Sequence, residues 1–149
     1  MQTIFFTANA AQLARLTAAG GDPEGLDLAL VNAQDLDPAQ LLELDNLVTG
    51  HDPVAVREAV LTPARQVGRP GALAQGTEER VVLKVRTALY RSLRGLTDAQ
   101  LDDLALVWEL RSWGADWDVE RYGRLLRSLA LLAEVARIER RPVYVRFDV

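Results

Sequence analysis

The sequence predicts an α+β domain of mostly helical content: five to six helices with a small sheet formed by the N- and C-terminal strands. Three observations carry this reading. Residues 2–7 are rich in β-favouring side chains at Ile4, Phe5 and Phe6, and residues 143–149 alternate as a strand does. Between them the apolar residues recur mostly at helical spacing. The stretches so patterned also open on N-cap residues and close on glycine or proline.

A chain of 149 residues fits a single domain, 1–149. At this size it buries about 68–70% of its unfolded surface and needs no disulfide or metal to hold it. Cysteine is absent, which removes disulfides, thiolate metal sites and cysteine nucleophiles together. His51 is the only histidine, so zinc sites of the His/Cys type are excluded within one chain. The apolar start at residues 1–6 lacks a basic leader, and no apolar run approaches the ~20 residues that span a bilayer. The expectation is a cytoplasmic protein with no membrane segment. One lysine against sixteen arginines reads as the mark of a GC-rich bacterial genome.

Taken in order, strand 2–7 leads to Asn9, an N-cap for a helix that Gly20-Gly21-Asp22-Pro23 ends. Residues 26–31 are ambiguous: Leu26, Leu28 and Leu30 alternate as in a strand, yet leucine and alanine favour helix. Asp37-Pro38 opens a helix through Leu41, Leu44 and Leu47 that Gly50 closes, and Asp52-Pro53 repeats the device. Residues 66–76, with three glycines and Pro70, predict a flexible loop. Thr77 then caps a helix through Arg94, with Val81, Val82, Val85, Leu89 and Leu93 as its apolar face. Thr97 and Gln100 form a capping box for a helix to about Trp113 that buries Leu101, Leu104, Ala105 and Trp108.

The stretch from Asp116 to the C-terminus organises the rest. Asp118 opens a long helix to about Arg140, with Tyr122, Leu125, Leu126, Leu129, Leu132, Ala133 and Ala136 on one face, and Pro142 stops it. From Leu129 onward apolar residues spread to other sides, at Leu131, Val135 and Ile138. A helix apolar almost all round is usually enclosed by protein, so this half is expected at the centre of the core. The same residues could instead form a homodimer face.

Charge is unevenly placed. Residues 1–79 carry four arginines against eleven carboxylates, a net −7, whereas residues 80–149 carry thirteen basic and ten acidic side chains, a net +3. Pairing of the two halves in the fold accounts for this more simply than a polar partner surface.

No phosphate-binding glycine loop, dinucleotide fingerprint, zinc-protease motif or calcium loop is present. A serine–histidine–acid triad could use only His51, whose neighbours Gly50 and Asp52-Pro53 read as a turn. The pairs Asp35/Asp37, Asp102/Asp103 and Asp116/Asp118 sit where aspartate caps helices or meets solvent. No catalytic residue, metal ligand or cofactor is therefore assigned. Two candidate binding groups remain. Trp113 and Trp117 flank Gly114 between two helices; with Arg121 and Arg124 they offer a partner-contact site, or else they lid the core. Arg80, Lys84, Arg91 and Arg94 fall on one face of the predicted helix 77–94 and offer an anion-binding stripe, as do Arg121, Arg124 and Arg127 on another. Net acidity and a pI near 5.0 stand against a nucleic-acid partner.

The order of these features resembles the YfbM-like group of small bacterial proteins. The resemblance rests on the initial strand followed by Ala11-Gln12-Leu13, on Leu44-Asp45-Asn46-Leu47-Val48-Thr49-Gly50, and on Thr77-Glu78-Glu79. It continues through Leu96-Thr97-Asp98-Ala99-Gln100-Leu101 and the final helix and strand. The aromatic- and histidine-bearing segment expected before Leu47 is absent, and the resemblance implies no catalytic residues. The sequence as a whole points away from an enzyme and toward a non-catalytic protein-interaction domain, immunity-like or regulatory, with a protein partner. The alternatives are an enzyme acting on an anionic small molecule through Asp116, Asp118, Arg121 and Arg124, and a nucleic-acid binder.

Overall fold

In the computed structural model, which describes residues 2–18, 28–49, 80–112 and 115–148, the two ends of the chain lie side by side at the middle of a sheet. Strand β1 (Gln2–Thr7) pairs antiparallel with β4 (Val143–Asp148) from Gln2↔Asp148 to Thr7↔Val143. On the outer side of β1 runs β2 (Leu30–Asn32), and on the outer side of β4 runs β3 (Arg80–Lys84), giving the order β2-β1-β4-β3. The predicted pairing of the terminal strands is thus present, widened by an edge strand on each side.

Side chains alternate across this sheet as a pleat requires. Phe5, aligned with Val145 and through it Leu83, faces one layer, while Phe6, aligned with Tyr144, faces the other. Against the second face packs α1 (Ala10–Ala18), whose Leu13 and Leu16 meet Phe6, Val82 and Tyr144. The Phe6 and Tyr144 rings stack at 5.6 Å. The larger core lies on the first face, under α2 (Pro38–Thr49), α3 (Thr87–Arg94), α4 (Asp98–Arg111) and α5 (Val119–Glu139).

Local chemistry fixes where these helices start. Asn9 with Gln12, Asp37 with Gln40, and Thr97 with Gln100 each form a reciprocal pair, the first side chain accepting from the third backbone N–H and the glutamine accepting from the first. Asp118 accepts from the Arg121 N–H at 2.8 Å and opens α5. That helix ends in a left-handed residue, Arg140 (φ 53°, ψ 50°), with the Arg141 N–H bonded to the Ala136 carbonyl at 3.0 Å. Pro142 then prevents continuation, and β4 begins.

Two expectations are corrected and one left open is resolved. From residue 80 onward, the helix predicted from Thr77 to Arg94 is instead the strand β3 followed by α3. Its run Val81-Val82-Leu83 is β-branched and leucine-rich, a pattern that serves either period, and β4 offers a ladder in which Val81 meets Phe147 and Leu83 meets Val145. The end of the ambiguous segment, Leu30 and Val31, forms a strand with Asn32 because β1 presents a free edge to it. The second half of α5 is not enclosed: Leu131 is 71% and Ile138 66% exposed, and Val135 is half-buried. α5 covers the sheet and packs against α3 and α4 with one side only, leaving the other to solvent. The predicted loop 66–76, the helix at Asp52-Pro53 and His51 lie outside the described residues.

Candidate functional site

The polar centre of the core leads to the site. Trp108, fully buried as predicted, donates its indole N–H to the Gln40 carbonyl at 3.0 Å. Gln40 donates from its side-chain amide to the Tyr122 hydroxyl at 2.8 Å. The Tyr122 ring lies between Trp108, at 4.5 Å, and Trp117, at 5.2 Å. Arg121 then places its guanidinium 3.9 Å over the Trp117 ring, a cation–π contact, and donates to the Gln34 carbonyl. α2, α4, α5 and the turn after β2 are therefore tied through one aromatic column.

Trp117 is buried, 6% exposed, so it lids the core and is not an open contact surface. A tryptophan between two helices is the largest apolar object available to seal their junction. Trp113 lies outside the described residues. A groove of about 260 Å³ opens beside the column, between Val31–Gln34 and the first turns of α5. Trp117, Arg121 and Arg124 all line it, together with Leu125 and Ser128. Three of the four predicted partner-contact residues are brought together here. Neither Asp116 nor Asp118 lines the groove, and Asp118 is committed to capping. Among the described residues no carboxylate lines the groove beside Arg121 and Arg124.

The residues that the sequence offered as either core or a homodimer face, Leu131, Val135 and Ile138, continue from this groove. Arg124, Ser128, Leu131, Val135 and Ile138 follow one another at spacings of four, three, four and three, a seam along the outward side of α5. Its far half is apolar and open to solvent. The pattern was visible in the sequence, but periodicity alone does not say whether an apolar seam meets its own protein or another.

The two basic stripes do not survive as stripes. Arg80 and Lys84 belong to β3, whereas Arg91 and Arg94 belong to α3, so the four share no helix face. In the other run, Arg121 covers Trp117 and Arg124 borders the groove. Arg127 turns to Asp102 and, at 3.9 Å, Asp98 on α4. Arg91 and Arg94 instead meet a group absent from the predictions. They line a cleft of about 360 Å³ between α3 and the end of α5, with Arg137, Arg140 and Arg141. Glu134 bonds to Arg137 and lies below the usual carboxylate range, chiefly through that hydrogen bond, with the charges of Arg137 and Arg94 adding.

Among the described residues no group of three or more His, Asp or Glu side chains could hold a metal ion. No helix among them is long and apolar enough to cross a membrane. No protein-family model, curated protein or solved structure matches the chain.

Proposed function

We propose that the chain is a non-catalytic protein-interaction domain, immunity-like or regulatory, and that its partner lies along the outward side of α5 from the Arg121/Arg124 groove to Ile138. The single observation that carries this reading is the seam itself. Burying an aliphatic side chain fully contributes about 1.5–3 kcal/mol, and the fold forgoes much of that at Leu131 and Ile138. A run of apolar side chains at these intervals fits the facing seam of an amphipathic helix. Arg124 and the groove would fix its register at one end. Kinship with the YfbM-like group, a bacterial origin and a cytoplasmic location belong to the same proposal.

The double variant Leu131→Glu/Ile138→Glu tests it. The full-length protein and the variant are compared by light scattering and by crosslinking in extracts of the native cell. The wild type is expected to hold a protein, either a second copy or a distinct chain, that the variant releases while melting within a few degrees of it. A wild type that stays monomeric and crosslinks as the variant does would sink the reading.

A further inference from the structure

We propose that the arginine cleft between α3 and the C-terminal end of α5 is a binding site for a ligand presenting two adjacent phosphoryl groups. Five arginines line it: Arg91 and Arg94 from the last turn of α3, Arg137 from the last turn of α5, and Arg140 and Arg141 from the turn that follows. Arg137 pairs with Glu134 and Arg141 with Glu139, which leaves the cleft at a net +3 in a chain whose own net charge is −4. Arg91, Arg94 and Arg140 make no salt bridge among the described residues.

The ordinary explanation for such arginines is that they satisfy the carbonyl end of a helix. Here the backbone already caps α5, with the Arg140 N–H on the Arg137 carbonyl at 3.3 Å and the Arg141 N–H on that of Ala136. Arg140 moreover occupies the left-handed position that glycine fills without strain. An arginine held there against its backbone preference, beside four others, exceeds what capping one helix end requires and points to a ligand.

Charge selects the ligand class. A phosphate monoester carries about −1.5 to −2 at neutral pH, so one leaves the cleft positive and two neutralise it. Planar guanidiniums bind phosphate oxygens in pairs of hydrogen bonds, which suits arginine over lysine here. The diphosphate of a nucleotide and inorganic polyphosphate share this chemistry. The site lies about 24 Å along α5 from the Arg124 groove, at the rise of an ideal helix, so the proposal stands apart from the reading of that groove.

The test titrates the full chain at low salt, where phosphate contacts are strongest, with inorganic phosphate, pyrophosphate and a nucleoside diphosphate. Pyrophosphate is expected to bind at least about tenfold more tightly than phosphate, as a bidentate charge-assisted contact implies. Tighter binding of the nucleoside diphosphate than of pyrophosphate identifies a nucleotide; equal binding identifies a free polyphosphate. Arg140→Gly removes one guanidinium while relaxing the backbone, so it should weaken pyrophosphate by about tenfold with no loss of melting temperature. Arg94→Gln should do the same, and Arg15→Gln on α1 should change nothing. No binding at low salt, equal affinity for phosphate and pyrophosphate, or a full-strength Arg140→Gly variant overturns the proposal.

Discussion

Gln40 is the residue on which most of the core's polar chemistry converges. Its side-chain oxygen accepts from the Asp37 N–H, its amide donates to Tyr122, and its carbonyl accepts from Trp108. Removing one partner of a buried hydrogen bond strands the other, which costs about 1–3 kcal/mol. Tyr122→Phe should therefore lower unfolding free energy by about that amount in urea, with the m-value unchanged. Tyr144 makes a different prediction. Burial against Phe6 and α1 is the first cause that pushes its hydroxyl above the ordinary 10.0, and the neighbouring Tyr90 adds to it. The folded protein thus holds this proton more tightly than the unfolded chain, so the associated stability is complete below pH 10.0 and declines as pH rises toward the folded value. Urea midpoints measured from about pH 9 to 11 should fall more steeply for the wild type than for Tyr144→Phe.

At the scale of elements, α5 decides most of the structure, and the contact between α4 and α5 offers a clean check. Gly123 faces Ala105 across that contact, and an added methyl would lie 3.2 Å from the tip of Arg127 and 3.8 Å from the Ala105 methyl. The first neighbour is the mobile end of a half-buried side chain, so it can move aside. Gly123→Ala should raise stability by about 0.5–1 kcal/mol, the usual cost of glycine inside a helix, read as a higher urea midpoint. Arg140→Gly should do likewise by relaxing the end of the same helix.

The elements also differ in how openly the sequence displayed them. Helices opening at Asn9, Asp37, Thr97 and Asp118 were legible because each cap residue carries its own hydrogen-bonding instruction. β3 was hidden because a valine-rich run satisfies strand and helix periods equally, and only β4, sixty residues later, chooses between them. The Trp117–Arg121–Arg124 grouping was partly legible, since those residues lie within two turns of one another. The arginine cleft was not, because Arg91 and Arg94 meet Arg137, Arg140 and Arg141 only when α3 folds against α5. The one local sign, the basic run at residues 137–141, is also what an ordinary helix end displays.

For the molecule as a whole, the sheet's interior is made from its first and last strands, with β2 and β3 as edges. β4 pairs on both sides, and it contributes Val143, Val145 and Phe147 to the larger core and Tyr144 to the smaller. Truncation before Val143 should therefore abolish the cooperative thermal transition, seen as a loss of sharp melting by circular dichroism, whereas removing a single edge contact should not. Among the described residues, the charge imbalance between the halves of the sequence has a counterpart in two ion pairs across them. Arg86 reaches Asp45 at 3.5 Å and Arg111 reaches Glu43 at 3.7 Å, while the arginines of the cleft outnumber the carboxylates paired with them among the described residues.

That central pairing also sets the order of events during synthesis. β1 is synthesised well before β4, the partner that fills its inner edge, with residues 8–142 between them. Until then its Ile4-Phe5-Phe6 segment has only the short β2 beside it, and an apolar strand with an open edge invites pairing with other chains. Completion of the native sheet is therefore deferred until β4 has been made, and slow elongation between the two strands should favour aggregation of the nascent chain over its folding.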